Sequence, residues 1–360
     1  MTLLDRYIVR KFLGILFYAN FAFIAIFVVV DLIEHLDKIL ANHGTFHDVV
    51  LYYVYYLPYI VVLTLPVNML LSSLFTMGMM AQANEIIACQ SAGISLYRLL
   101  TPLLALALLI SIASGVAAET VVPSANRARL DIWRYKIKKE TRRIHSARTE
   151  LALQDGENRQ VFIQLYNSEK KIANRVSILW IESNRVVRRW DAQIMEWKED
   201  RGQWLLRMVT IRQFLPEGEL VQQRDSLWYT DSHIVHEDLV DLEIKPEEMN
   251  YAELKRFVDK MLALGADARR WLVDLYFKIS YPFANFIIVL FGAPLASRKR
   301  RSGPAFGFAM ALLISFIYFI FLRTGQVLGH KGDLEPWLAA WIGNLVFGFA
   351  GLVTLLKVRK

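Results

Sequence analysis

Residues 12–30 read FLGILFYANFAFIAIFVVV, a run of nineteen residues without a charge. An α-helix needs about 20 mainly apolar residues to cross the hydrocarbon core of a bilayer, so this run predicts a membrane span. A signal peptide has a shorter apolar core that is followed by a small-residue cleavage site. This run instead continues directly into Asp31, Glu34 and Asp37. We therefore expect a retained first span.

Five further stretches are nearly free of charge, namely residues 49–84, 99–118, 279–297, 303–322 and 336–356. The second stretch is longer than a bilayer requires, and we expect Pro58 and Pro66 to kink it and its end to extend into the cytoplasm. Residues 124–270 are too polar for a membrane. The pattern predicts an α-helical polytopic membrane protein with six transmembrane helices, three in residues 1–123 and three in 271–360, around a water-soluble insert.

Basic residues indicate the orientation, because short cytoplasmic loops hold the excess of Lys and Arg. They collect before the first span, between spans four and five, and at the C-terminal end: Arg6, Arg10, Lys11, Arg298, Lys299, Arg300, Arg301, Lys357, Arg359 and Lys360. The loop after the first span is mainly acidic, and only Arg98 supports a cytoplasmic loop after the second. We expect both termini in the cytoplasm and the insert outside.

The insert changes its periodicity along its length. Residues 126–148 carry nine basic side chains around an apolar stripe, which predicts a basic amphipathic helix. Over about residues 149–244, short runs with a period of two are separated by Gly and Pro, which favours a β-sandwich, a jelly roll or a barrel. Residues 246–265 then predict a helix that returns the chain to the membrane.

Motifs for catalysis are missing from the sequence. It contains neither a phosphate-binding Gly-x-x-x-x-Gly-Lys-Ser/Thr loop, nor a His-Glu-x-x-His zinc motif, nor a Gly-x-Ser-x-Gly elbow. The single cysteine, Cys89, excludes a disulfide scaffold, and the net charge of +8 is spread over loops rather than gathered in a nucleic-acid motif. We predict no catalytic residue, no metal site and no nucleic-acid partner. An ion-coupled transporter and a membrane-anchored scaffold or sensor remain alternatives.

Six short segments resemble one known family, the lipopolysaccharide-export permeases of the YjgP/YjgQ or LptF/LptG type. They are LDRYI (4–8), VDLIE (30–34), NEIIACQSAGIS (84–95), VPSAN (122–126), NYAEL (250–254) and WLAAWIGNL (337–345). The segment at 30–34 and the last span favour the G-type permease. Gly343 departs from the family pattern, in which a proline is expected.

The resemblance implies one subunit of an ATP-driven exporter in the bacterial inner membrane. Such a complex extracts lipopolysaccharide and passes it to a periplasmic β-jelly-roll bridge toward the outer membrane. Its implied partners are a paralogous permease, a dimer of cytoplasmic ATPases that binds ATP and Mg²⁺, and a single-span protein with a periplasmic jelly roll. No cofactor is expected in this chain itself, and its insert is expected to be jelly-roll-like.

The resemblance also suggests site residues. A coupling helix over about residues 82–96 is expected to dock on the ATPase through Glu85, Ile86, Ala88, Ala92, Gly93 and Ser95. Glu85 suits a helix N-terminus and an arginine of the partner, although plain capping explains it as well, and the small residues also suit packing beneath the second span.

Cations near the outer boundary can bind the lipid phosphates, and we predict this role for Lys38, Arg127, Arg129, Lys278 and Arg323. Ordinary snorkelling of long side chains is the alternative. Phe27, Phe316 and Phe319 are candidates for a lateral gate, with simple lipid exposure as the alternative. Val161, Ile163 and Leu165 can line a groove for acyl chains or form the core of the insert.

Overall fold

The computed structural model describes residues 2–138, 147–156, 158–167, 170–182, 185–215, 218–236, 239, 246–263, 267–297 and 304–357. The chain forms two compact units. The helical unit comprises Met1–Ile132 and Arg269–Lys360, and the inserted unit comprises Trp133–Ala268.

Within the described ranges, six helices of the helical unit are long and apolar enough to cross a membrane, which confirms the predicted three helices on either side of an insert. They are α1 (Leu3–Ala41), α2 (Phe46–Gln82), α4 (Leu96–Thr120), α7 (Arg269–Ala296), α8 (Pro304–Lys331) and α9 (Pro336–Leu356). The shorter helices are α3 (Glu85–Ser91), α5 (Val122–Asp131) and α6 (Tyr251–Ala263).

Helix α2 lies at the centre of the helical unit and packs against α1, α7 and α8. Residues 64–74 are buried without interruption, as expected for a helix that is apolar on all sides. Pro58 and Pro66 lie inside the helix. At 1.5 Å per residue, its 37 residues span about 55 Å, well beyond the ~30 Å hydrocarbon core.

Some helix bounds differ from the sequence prediction. Helix α7 begins at Arg269 and α8 continues to Lys331, about ten residues beyond the uncharged runs. The sequence missed these extensions because a helix can include polar and charged residues outside its apolar run. The basic helix expected over 126–148 is interrupted: α5 ends at Asp131 and a π-helix covers Ile132–Ile137. Residues 139–146 lie outside the described part of the chain. The end of that prediction is wrong, because residues 147–148 already pair as a strand.

The described residues of the insert form one antiparallel sheet of six strands in the order β1 to β6. The strands are β1 (Ala147–Gln154), β2 (Arg159–Asn167), β3 (Ile172–Glu182), β4 (Arg185–Lys198), β5 (Gln203–Leu215) and β6 (Gly218–Tyr229). The predicted β-domain of the insert is therefore confirmed. Each described strand pairs with the next strand along the chain. In a two-sheet jelly roll built from Greek keys, by contrast, neighbouring strands of a sheet are often not consecutive along the chain. The return segment begins as a 3₁₀ turn at Pro246–Glu248 and continues as α6.

The ladder of paired residues is interrupted at one level across all six strands, and the residues unpaired there lie opposite one another in a row across the sheet. We call this row the crease; its residues are Glu150, Gln164, Arg175, Gln193, Met208 and Asp225. Two of them, Arg175 and Met208, have φ values of 53° and 52°. Buried residues on β2 and β5 then lie three apart across the crease instead of two. The crease thus interrupts the alternation on which strand prediction depends.

Candidate docking helix and lipid-facing residues

Helix α3 lies between α2 and α4 and presents an open face. Asn84 precedes it with a left-handed backbone (φ 59°), which turns the chain sharply out of α2. Ile86 is only 4% exposed and belongs to the core beneath α3, so it anchors the helix rather than contacting a partner. Ile87, which sequence reasoning did not single out, is 49% exposed. The other exposed residues of this segment are small or polar: Ala88, Gln90, Ser91, Ala92, Gly93 and Ser95.

Two of the residues predicted for docking shape the turn into α4. Gly93 has φ +82°, the left-handed conformation that commonly ends a helix and that glycine adopts without strain. The Ser95 side chain accepts a hydrogen bond from the backbone N–H of Arg98 at 3.3 Å, and Ser95 is therefore the N-cap of α4. Both residues position the exposed face of α3 relative to the next span.

Glu85 is bound to α1. The Tyr7 hydroxyl donates to both carboxylate oxygens of Glu85, at 3.0 and 3.1 Å, and the Lys11 ammonium lies 3.8 Å from the same carboxylate. Sequence reasoning used Tyr7 only as part of a family motif and Lys11 only as a topology signal. Their separation from Glu85 by more than seventy positions explains why no local pattern showed the contact.

The five predicted phosphate-binding cations have different surroundings. Lys38 and Arg127 are exposed, on α1 and α5. Arg129 lies over Tyr56 at 3.9 Å from the ring centroid, with Tyr52 and Tyr59 at 5.8 and 5.9 Å. These tyrosines follow each other at helical spacing on α2, so one face of α2 holds the guanidinium by cation–π contact.

The remaining two cations belong to polar contacts between spans. Lys278 lies 3.6 Å from Glu119, which joins α7 to α4. Arg323 is exposed and donates to Gln326 at 2.9 Å, and Gln326 donates to Asp274 at 3.1 Å. A neutral amide therefore separates Arg323 from that carboxylate.

Comparison with known proteins decides the family. A family model described as "Lipopolysaccharide export system permease LptF/LptG" matches residues 6–357. The chain belongs to the LptF/LptG permease family. It is thus a permease of a lipopolysaccharide export system, a multi-pass transport protein rather than an enzyme.

Individual relatives support the G-type prediction. The chain is 19% identical to the lipopolysaccharide export system permease protein LptG of Haemophilus influenzae, over 96% of this chain and 95% of the relative. It is 20% identical to LptG of Escherichia coli K12 over 98% of both chains. LptF of Escherichia coli K12 is 27% identical over only 25% of each chain. Since relatives of both names exist, a paralogous permease partner is indicated.

The predicted gate phenylalanines of this permease do not share one environment. Phe316 on α8 is 65% exposed and lies in an apolar stripe with Leu313 and Ile320. Phe27 instead packs edge-to-face on Tyr56 at 5.7 Å, and Phe319 packs against the core. Among the three, Phe316 alone has the exposure that a contact with lipid or a second subunit requires.

Polar side chains within the permease spans join helices to one another. The Asn68 amide donates to Asn20 at 2.9 Å and thereby links α2 to α1. Asn344 accepts from Tyr318 and donates to the Ser280 carbonyl, both at 2.6 Å, and so links α9 to α8 and α7. The described centres of the spans carry amides and hydroxyls but no row of ionisable groups, which an ion relay would need.

Two of the three strand residues that could contact acyl chains belong instead to the hydrophobic core of the insert. Val161 and Ile163 are each 1% exposed, whereas Leu165 is 36% exposed. A groove of about 700 Å³ follows the crease, and its lining includes Phe162, Arg175 and Met208. The sheet thus has a filled interior and a groove of mixed polarity.

Proposed function

We propose that this chain is the G-type permease subunit that couples ATP hydrolysis to the extraction of lipopolysaccharide from the inner membrane. It pairs with an F-type paralogue, and a dimer of separate ATPases docks on α3. The lipid then passes to the β-rich insert and to the jelly roll of a single-span partner. The observation that carries the proposal is the exposed face of α3 at a turn between two spans.

The chain path supports the docking role of α3. The segment α3 to Ser95 lies at the start of α4, whose 25 residues give a rise of about 37 Å, and the insert departs soon after the other end of α4. A helix of this length crosses a bilayer, so α3 and the departure point of the insert lie on opposite sides of the membrane. The basic N-terminal residues at the α3 side favour the cytoplasm for α3 and the periplasm for the insert.

The composition of the α3 face fits a groove in another protein. Ala88, Ala92 and Gly93 leave the backbone open to close approach, and Ile87 adds an apolar contact at the centre of the segment. Because the sequence has no phosphate-binding loop of its own, ATP and Mg²⁺ belong to the docked partner.

The cations support the binding of a lipid with phosphate groups. Lys38, Arg127 and Arg323 are exposed, and each belongs to the end of a span or to α5. Charge-assisted hydrogen bonds from such groups bind phosphate strongly without full burial of the charge. Apolar faces of α1 and α8 beside them suit the acyl chains, since the most hydrophobic windows of these helices are only 11% and 28% buried.

Transport then follows from docking. When the ATPases close on their nucleotide, they move α3, and α3 moves the spans so that the space for the lipid between this permease and its paralogue narrows. The lipid leaves toward the insert, because the cations hold its phosphates near that side of the membrane.

The docking step is tested with Ala88→Trp, which places a bulky side chain on the open face of α3. We expect the purified permease complex to lose its co-purifying ATPase. Ala22→Trp is the matched control, since Ala22 is exposed on α1 within the predicted span. An ATPase that stays bound to the Ala88→Trp complex would contradict docking on α3.

The lipid-binding step is tested by photo-cross-linking of lipopolysaccharide to the reconstituted complex. Arg323→Glu is expected to lower the cross-linking yield about tenfold, the value of one charge-assisted hydrogen bond. Arg10→Glu changes an exposed residue in the first turns of α1, on the predicted cytoplasmic side and away from Arg323. This control is expected to have no effect on the cross-linking yield. Unchanged cross-linking after charge reversal at Arg323, Arg127 and Lys38 together would exclude the phosphate-binding role.

The orientation is tested in spheroplasts of a Cys89→Ser background. A cysteine at Asp200, an exposed position in the β4–β5 turn, should react with a membrane-impermeant reagent from outside. A cysteine at Gln90 should react only after the membrane is opened. The reverse pattern would invert the topology and remove the export proposal.

A further inference from the structure

Two polar contacts join the first turns of α1 to the chain around α3, one at the first residue of α3 and one in the first turn of α4. The front contact consists of Tyr7, Lys11 and Glu85. The rear contact consists of Asp5 and Arg98. Helix α3 therefore lies between two attachments to the same neighbouring helix.

The front contact is a chain of directed hydrogen bonds. Lys11 donates to the Tyr7 hydroxyl at 3.1 Å, and that hydroxyl donates to Glu85. The Lys11 side chain is 17% exposed and the Glu85 side chain is 33% exposed. Tyr7 itself is 44% exposed, so solvent screens the contact in part, and the two hydrogen bonds from Tyr7 still orient the Glu85 carboxylate from α1.

The rear contact is bidentate. Arg98 donates through its two terminal nitrogens to the two oxygens of Asp5, at 2.7 and 2.9 Å. Asp5 is 7% exposed and also accepts from the backbone N–H of Thr2, as part of a capping box at the start of α1. A planar guanidinium in this geometry resists both translation and rotation.

Apolar packing connects the same elements. Ile8 and Phe12 of α1, Ile86 of α3 and Leu96 of α4 belong to one buried cluster. Met80 and Ala81 of α2 belong to the same cluster, so α3 packs on α2 as well. Side chains therefore join α3 to α1 in addition to its packing on α2.

Helix α1 has the least packing to resist a displacement of α3. Its most hydrophobic window is 11% buried, compared with 72% for α2. A helix that exposes most of its surface to lipid can tilt without breaking a close-packed core.

We propose that α1 receives the motion of α3 through the front contact, so that Tyr7 and Lys11 are positioning residues that couple ATP hydrolysis to lipid movement. This inference rests on the proposed docking of an ATPase on α3. In the docked complex Tyr7 and Lys11 act through Glu85, and α1 transmits the motion to the apolar surface that it exposes to lipid.

The experiment uses the complete complex in proteoliposomes and measures the lipid released per ATP hydrolysed. Tyr7→Phe removes only the hydroxyl and Lys11→Met removes only the charge, and each is expected to lower this ratio about tenfold, as expected for loss of a hydrogen bond to a charged group. The double variant should lose no more than the stronger single variant, because both residues act on one carboxylate. Tyr18→Phe, an exposed tyrosine on the same helix, is the control.

A conservative variant separates positioning from folding. Lys11→Glu should uncouple the complex, whereas Lys11→Arg, which keeps the charge beside Glu85, should retain most of the ratio. A wild-type ratio in both Tyr7→Phe and Lys11→Met would overturn the inference. Loss of the bound ATPase from Tyr7→Phe would also overturn it, because the contact would then serve docking rather than transmission. A wild-type complex that binds no ATPase would instead refute the proposed function.

Discussion

Helices α8 and α9 approach too closely at Gly325 for any side chain. A Cβ atom at this position would lie 2.4 Å from the carbonyl oxygen of Ala339 and 2.6 Å from Cγ2 of Ile342. The nearer atom belongs to the backbone of α9, so no change of rotamer can relieve the contact. At Gly329, one turn further along α8, a Cβ would lie 2.5 Å from the Cβ of Ala339 and 2.8 Å from a methyl group of Val273, and the two glycines form a Gly-x-x-x-Gly contact between spans.

Gly325→Ala therefore forces the two helices apart. Overpacking of this kind costs about 1–3 kcal/mol, whereas replacing a helical glycine with alanine by itself gains up to about 1 kcal/mol. Gly307→Ala on the same helix provides the matched control, since no atom lies within 4 Å of a Cβ there. Because the gain in helix propensity is common to both variants, their difference measures the steric cost of about 1–3 kcal/mol.

The assay is the apparent thermal midpoint of the detergent-solubilised permease, followed by the loss of monodisperse protein. We expect Gly325→Ala to unfold a few degrees below Gly307→Ala, and Gly307→Ala to unfold at or above the wild-type midpoint. Equal midpoints for the two variants would refute the close approach of α8 and α9 on which this reasoning depends.

Three further predictions concern buried polar groups. Asp155→Ala should lower the free energy of unfolding by about 3 kcal/mol, because it leaves the Tyr229 hydroxyl and the backbone N–H of His233 without their acceptor. The control Asp231→Ala, on the surface, should change it by less than about 0.5 kcal/mol. Equal effects of the two variants in chemical denaturation would contradict this prediction. Tyr318→Phe should lower the stability of the helical unit by about 1 kcal/mol through the lost hydrogen bond to α9, and an unchanged thermal midpoint would exclude that contribution. Burial raises the pKa of Tyr229, so the protonated hydroxyl contributes its full stabilisation below pH about 10 and this contribution is lost at higher pH. If the thermal midpoint of a Tyr229→Phe variant falls as steeply with pH as that of the wild type in alkaline buffer, this contribution is excluded.

Much of the docking segment was accessible to sequence reasoning, because its features are local. The sequence predicts a helix over about residues 82–96 that ends near Gly93, where glycine adopts positive φ without strain. The structure has a shorter helix, Glu85–Ser91, because Gln82 still belongs to α2 and Leu96 already belongs to α4. Other features depend on distant residues. The burial of Ile86 and the contact of Glu85 with Tyr7 arise only when α1 packs beside α3, and no periodicity within either helix predicts them.

The departure at Gly343 shows the same distinction. The sequence indicates only that a family proline is missing there. In the folded chain a Cβ at Gly343 would lie 2.9 Å from a methyl group of Leu322, so a small residue suits the close contact between α9 and α8. The close neighbour, Leu322, belongs to another span, and no pattern within α9 indicates it.

The sequence alone determined the number of spans, the position of the insert and its strand-rich character, because these depend on transfer of uncharged runs into lipid and on the period of each segment. Only the tertiary structure decided which cations have aromatic or acidic neighbours, which phenylalanine remains exposed, and where a crease interrupts every strand. Those features depend on contacts between residues far apart along the chain, and such contacts exist only after the helices and strands have packed.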